Sequence, residues 1–240
     1  MSSPRLEESM SVFGASPLVD LLPESVHREL ASHVRYAEFE RGQTIFARGA
    51  SGSDVYWVVT GRVKVMALSL NGNELLHSMV EPGEYFGEVS AVDGRPRGID
   101  ATAESRTGVL ALSRDHLLPA LERHPPAALR LAELLCVQIR LAGETLQDFV
   151  FYSSQARIWS HLLRLVDRYG SVERDNGSIR IEHRLSQEDL AHSVGLTRVM
   201  VNRQLAAWRD LGLIEYGRGF IVIHDKQTLD AHVGMAPDTN

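Results

Sequence analysis

Cysteine is almost missing from this chain: Cys136 is the only one in 240 residues. An intrachain disulfide is therefore excluded, as is a thiolate-only zinc or iron–sulfur site supplied by one chain, so no iron–sulfur cluster is expected. Cys136 sits in the apolar run Leu134-Leu135-Cys136-Val137 and reads as a small buried hydrophobe, because a reactive thiol needs exposure and a lowered pKa. Lysine is nearly as scarce, with Lys64 and Lys226 alone, so positive charge is carried by arginine. Long apolar runs are absent as well. None approaches the roughly 20 residues that cross a bilayer, and the opening MSSPRLEESMSVFG carries Glu7 and Glu8 and no apolar core, unlike a signal peptide or anchor. A cytoplasmic protein with no membrane partner is expected. Catalytic frames are lacking too. The histidines are scattered without a ligand-like i, i+4 partner, and no G-x-S-x-G or Walker loop occurs, so neither a metal site nor an enzyme is expected.

What is present is ordinary for a folded globular chain, with 44% hydrophobic and 23% charged residues. A net charge of −6 argues against general coating of nucleic acid, yet arginines 198, 203, 209 and 218 gather in one segment, and phosphate affinity follows the local field. That segment, Leu185 to Leu213, has the outline of two short helices about a glycine turn. Ser186 caps the first, with Asp189 completing a capping box and Leu190 and Val194 facing inward. Gly195 stops it, and Thr197 caps a second helix whose Val201, Leu205 and Trp208 recur at helical spacing. Arg198, Asn202, Arg203 and Arg209 are placed on the outer face. An arginine fork at the first turns of such a helix can reach guanine edges or phosphates in the major groove. The bland alternative is a helical hairpin with a charged solvent face. Beyond it, Ile214-Glu215-Tyr216, Gly217-Arg218-Gly219 and Phe220-Ile221-Val222-Ile223 read as a β-hairpin, which makes the segment a winged helix-turn-helix.

The rest of the chain falls into blocks. Residues 1–15 are polar and expected to be loosely held, and Ser16-Pro17 opens a helix through Leu18, Leu21, Leu22, Val26 and Leu30. From Tyr36 to about Ser113 short strands alternate with turns such as Asn71-Gly72 and Glu81-Pro82-Gly83, the pattern of a β-barrel or jelly roll. A short helix over Asp115–Glu122 is closed by His124-Pro125-Pro126. One long helix then runs from Ala127 to about Tyr152, apolar on more than one side. Such a helix needs two partners, the β-domain and the same helix of a second copy; burial within one large core is the alternative. Ser153-Ser154-Gln155 reads as a polar hinge, Ala156–Tyr169 as a helix, Gly170–Ser178 as turns and Ile179-Arg180-Ile181 as a strand. The domains are thus 1–15, a sensor over 16–125, a dimerisation helix over 126–152 and a reading domain over 153–240, an α+β fold.

One constellation in the β-block has chemical content: Glu84-Tyr85-Phe86-Gly87-Glu88-Val89-Ser90 followed by Arg95-Pro96-Arg97-Gly98. Gly87 allows close backbone approach, Glu88 can accept from sugar hydroxyls, and Arg97 can pair with a phosphate. The alternative is that Glu88 and Arg97 pair with each other. With the cassette EYFGEVSAVDGRPRGIDATA and the segment LSQEDLAHSVGLTRVMVNRQL in this order, the chain resembles the catabolite activator and FNR family of bacterial transcription regulators, from about Ser16 to Asp225. The resemblance implies a homodimer along the long helix, a β-roll that binds cyclic AMP in the cyclic-nucleotide-sensing members, and reading of a palindromic operator in double-stranded DNA. RNA polymerase is a further expected partner. It assigns effector contacts to Gly87, Glu88, Arg97, Gly98, Ala142 and Gly143, and DNA contacts to Gln187, Thr197, Arg198, Val199, Asn202 and Arg203.

Four positions depart from the family pattern. Gly98 replaces the usual serine after the phosphate arginine. Ala142 and Gly143 replace the threonine-serine pair that meets adenine. An unpaired buried polar edge costs on the order of 1–3 kcal/mol, so weak cyclic AMP binding, another nucleotide and an empty site all stay open. Val199 replaces the usual glutamate, which accepts from cytosine; valine makes apolar contact instead, so an operator altered at that base pair is expected. A cyclic-nucleotide module that regulates a partner protein is the alternative function, and the arginines opening a capped helix speak against it.

Overall fold

The computed structural model describes residues 10–69, 74–172, 177–182, 186–217 and 219–233, which form two compact units, Met1–Arg140 and Leu141–Asn240. The expected turn at Asn71-Gly72, Leu185 at the start of the reading segment and Arg218 in the wing lie outside the described residues.

In the first unit, residues 10–14 are helical, and α1 (Glu24–Ala31) follows. Residues 10–14 are not loose, because Phe13 is buried edge-on against Trp57 at 5.0 Å. No helix opens at Ser16-Pro17: residues 17–20 form turns, and α1 starts after Pro23. Proline there disfavours helical geometry at Leu22 and cannot donate into a helix running through it.

Among the described residues eight strands follow: β1 (Arg35–Phe39), β2 (Thr44–Phe46), β3 (Asp54–Thr60), β4 (Val63–Leu68), β5 (Glu74–Val80), β6 (Tyr85–Phe86), β7 (Asp100–Ala103) and β8 (Thr107–Ser113). All pair antiparallel in two four-stranded sheets, ordered β1-β8-β3-β6 and β2-β7-β4-β5, which is the expected β-roll. Strand alternation sends the middle of β3, buried except for half-buried Tyr56, into two cores. Val55, Trp57 and Val59 join a core with Leu18 from the turns before α1, Leu30 of α1 and Leu117, while Val58 faces the other way, with Val65, Phe86 and Ala101.

The short helices α2 (Glu88–Asp93) and α3 (Arg114–Arg123) flank this roll, and α4 (Pro125–Phe151) begins in the first unit and ends in the second. Pro125 and Pro126 open α4 rather than ending the previous segment: their missing N–H groups fall in the first turn, and the His124 carbonyl accepts from Ala127 and Ala128. Ala127 and Leu131 of α4 are buried in the first unit's core. Cys136 is exposed, not buried, because it lies off that stripe.

The second unit holds the rest of α4, then α5 (Ser154–Tyr169), β9 (Gly170–Val172), β10 (Ile179–Glu182), α6 (Gln187–Ser193), α7 (Arg198–Asp210), β11 (Ile214–Gly217), β12 (Phe220–Ile223) and α8 (Lys226–His232). Gly170–Val172 is a strand rather than the expected turn, because it pairs antiparallel with Ile179–Ile181. The sheet runs β11-β12-β10-β9. Its core gathers Trp159 and Trp208, edge-on at 6.4 Å, with Leu162, Ile181, Val201 and Leu205. Between α4 and α5 only Tyr152 and Ser153 leave the helix, and the Ser153 hydroxyl accepts from the Ala156 amide.

Candidate functional site

In the first unit, β6 delivers the chain to Gly87, whose φ of 84° turns it into α2. This left-handed conformation suits glycine, and space enforces the choice: a Cβ would stand 2.8 Å from Arg97 Nη1 and 3.0 Å from the Asp54 carbonyl oxygen. Arg97 is only 3% exposed. Its Nη1 donates to the Gly87 carbonyl and its Nη2 to the Asp54 carbonyl, each at 2.8 Å. The guanidinium lies 4.2 Å from the centroid of the Phe46 ring, and Nε is buried without a hydrogen-bond partner. Burial pushes the Arg97 pKa down, opposed by Tyr56 and Asp54.

Glu88 is buried and accepts from Gln138 Nε2 of α4 at 2.9 Å. Arg97 and Glu88 therefore do not satisfy each other; the anticipated turn-spanning pair gives way to backbone carbonyls for one and a helix amide for the other. Tyr85 borders this carboxylate, and its hydroxyl is pushed up to about 12, first by burial and then by the Glu88 charge. A buried guanidinium met by two backbone carbonyls and the Tyr56 side chain, with Nε unpaired, suits an anion, while a buried carboxylate suits hydroxyl donors. A phosphorylated sugar supplies both. Gly98 is exposed, with open space where a side chain would be, and Ala142 and Gly143 belong to the second unit, where both are exposed and bring no side-chain hydrogen bond.

Gln138, Asp54 and Phe46 were not among the residues singled out from sequence. Gln138 left a signal, since it lies seven residues beyond buried Leu131, a polar group on the helix's inner stripe. Phe46 and Asp54 left none, because a packing ring and a backbone carbonyl have no motif.

In the second unit, the Ser186 side chain accepts from the Asp189 amide and the Asp189 carboxylate from the Ser186 amide, a reciprocal capping box. Gly195, at φ 62°, ends α6, and Thr197 caps α7 by accepting from the Met200 amide. Val201, Leu205 and Trp208 anchor α7 from inside. Its opposite face presents Arg198, Val199, Met200 and Arg203 to solvent, Val199 at 76% exposure. Gln187 is half-buried at the start of α6. Asn202 departs from the expected outward position: it is half-buried, with Oδ1 shielded and unpaired, because it borders the anchored stripe beside Val201. Arg209 is exposed but engaged by neighbouring Asp210 at 2.8 Å. The β11–β12 hairpin pairs Ile214 to Gly217 with Ile223 to Phe220, which gives the wing.

Residues 36–124 match the cyclic nucleotide-binding domain, and residues 156–232 match the Crp-like helix-turn-helix domain. The chain is 31% identical over 200 residues to a CRP-like cAMP-activated global transcriptional regulator of Mycobacterium tuberculosis, covering 83% of this chain and 88% of that one. It is 32% identical over 216 residues to the cyclic AMP receptor protein of Thermus thermophilus, covering 90% and 95%. Among solved structures, a CRP-family transcriptional regulator from Thermus thermophilus superposes with a TM-score of 0.63 at 28% identity, covering 85% of this chain and all of that one. With both domains matched in this order and the likeness running through the long helix between them, the chain belongs to the CRP-like family of DNA-binding transcription regulators.

Proposed function

We propose that the chain works in the cytoplasm as a homodimer that reads a palindromic operator and responds to a small effector carrying a phosphorylated ribose, with a cyclic nucleotide as the first candidate. The observation that carries the effector reading is Arg97, a buried cation with no carboxylate partner among the described residues and with Nε unpaired. Glu88 would take the sugar hydroxyl and Arg97 the phosphate. Gly87 keeps backbone close enough for both, and Gln138 ties the same carboxylate to α4, which gives occupancy of the sugar site a route into the long helix. Gly98, Ala142 and Gly143 add no side-chain donor or acceptor, so base selectivity is weak. Calorimetry with cyclic AMP, cyclic GMP and their non-cyclic 5′-monophosphates tests this. Binding of a cyclic nucleotide that disappears in Arg97→Ala supports the reading, and absence of heat for every ligand removes it.

The dimer reading rests on α4, where Leu129, Val137, Ile139, Leu146, Val150 and Phe151 are exposed along one helix. Sedimentation at micromolar concentration should give twice the chain mass. On DNA, Gln187, Thr197, Arg198, Asn202 and Arg203 are the proposed contacts, with Val199 replacing a hydrogen-bond acceptor by an apolar one, and the output passes through RNA polymerase. Gel shifts on genomic fragments at two salt concentrations test the DNA side, with tighter binding at low salt expected. Selection from random DNA should return a half-site altered at the Val199 base pair.

A further inference from the structure

We infer that Asp148 and Phe149, in the last turns of α4, are positioning residues for DNA reading: they clamp the end of the long helix to the helix-turn-helix across the Tyr152–Ser153 break. Asp148 is buried, and its Oδ2 accepts from Ser160 Oγ at 2.8 Å and Arg164 Nη1 at 2.7 Å. Arg164 Nη1 also donates to Ser160 Oγ at 2.9 Å, which closes a triangle between α4 and α5. A buried carboxylate is tolerated where charged and neutral donors meet it, and here all of them come from across the break.

Phe149 makes the second half of the clamp. Its ring reaches the turn between α6 and α7 so closely that a Cβ on Gly195 would lie 2.5 Å from Cε1. Arg157 stacks near the same ring, 5.3 Å from its centroid, and donates to the Val194 carbonyl at 3.3 Å. The residue that ends α6 and the residues that end α4 therefore share one contact.

Ser153 caps α5 and fixes its first turn, but a cap does not set the angle at which one helix leaves another. Asp148 and Phe149 supply that angle. The polar Ser153-Ser154-Gln155 stretch, read from sequence as a hinge, is spanned on its inner side and held. The tail of the long helix from Asp148 onward and the reading helix then move as one body.

This inference rests on the palindrome-reading dimer proposed above. Full-length wild type and Asp148→Ala are compared on a selected palindrome, on a duplex with one half-site, and on a palindrome lengthened at its centre by a base pair. Affinity for the palindrome is expected to fall about tenfold, in the range by which coupling mutations act. Half-site affinity stays essentially unchanged, and discrimination against the lengthened palindrome is lost. Asp148→Asn, which keeps an acceptor oxygen for Ser160 and Arg164, restores most of the difference. An equal loss on palindrome and half-site marks a merely structural role and overturns the inference, as does unchanged palindrome binding. Hydrogen exchange reads the clamp without DNA. The Tyr152 and Ala156 amides, which donate to the Asp148 carbonyl and to Ser153 Oγ, should exchange faster in Asp148→Ala. Unchanged exchange sinks the clamp, whereas a wild type that binds no DNA sinks the proposed function and leaves the exchange result to decide the clamp.

Discussion

The two candidate sites of this chain are built in opposite ways. On α7 the outward residues Arg198, Val199 and Arg203 are exposed, and the structure spends only caps and an apolar underside to present them. In the β-roll, Glu88 and Arg97 are buried, and each is held by groups distant in sequence, Gln138 for one and Asp54 for the other. A surface that meets a large partner from outside can be separated from the fold that displays it. A site that encloses a small molecule cannot, because its binding groups are also part of the core. Function and stability should therefore come apart on α7 and stay joined in the roll.

The largest effect is expected at Arg97. Arg97→Ala strips the donors from the Gly87 and Asp54 carbonyls and opens a cavity beside Phe46. Losses of this kind amount to about 2–4 kcal/mol. Urea unfolding should show it, together with loss of effector binding. A variant that loses the effector at full stability would break the contrast.

Next come the two glycines that each site depends on. Gly87→Ala would place a Cβ against Arg97 and Asp54 at φ 84°, and Gly195→Ala against Phe149 at φ 62°. Left-handed strain with such contacts costs about 1–3 kcal/mol at either position. Chemical denaturation measures the size. The consequences should differ, with effector affinity falling in the first and DNA affinity in the second.

Arg198→Ala should move stability by less than about 0.5 kcal/mol, as exposed substitutions do, yet weaken specific DNA binding by about 1–3 kcal/mol. Thermal unfolding and a gel shift on the same preparation separate the two. A stability loss as large as that of Arg97→Ala would erase the distinction between the regions.

The same contrast explains what could be read from sequence. Caps, a glycine stop and apolar spacing are local, and Ser186, Gly195, Thr197 and Trp208 stand where the pattern puts them. Strand-and-turn punctuation likewise gave the roll. The cluster of residue types at Gly87, Glu88 and Arg97 stood out in the sequence, but the groups that hold them did not, because Asp54 and Gln138 reach them only through the folded topology. Asn202 failed because helical spacing places a residue on a stripe but not at its border, where half-burial is decided, and Cys136 failed because an apolar run does not say which side of a helix is covered. Pro23 and the prolines opening α4 were legible in principle, since proline marks where a helix starts as well as where one stops.

The smallest expected effect sharpens the comparison through two exposed carboxylates, one in each unit. Glu29 in the first unit is held below its ordinary value of 4.5, first by a hydrogen bond from Arg123 and then by that cation's charge. Asp225 in the second is held below 3.8 by the Thr228 hydroxyl and amide, neutral donors at the start of α8. A carboxylate whose pKa is lower folded than unfolded stabilises the fold above the unfolded value and loses that contribution as pH falls through the folded one. Both contributions are therefore present at neutral pH and fade in acid, below 4.5 for Glu29 and below 3.8 for Asp225. Salt tells them apart, because it screens a charge partner at the surface and leaves a neutral cap alone. NMR titration at low and high ionic strength should move Glu29 upward toward its ordinary value and leave Asp225 in place. Equal movement of both would mean that long-range charge, rather than the local donor, sets the Asp225 shift.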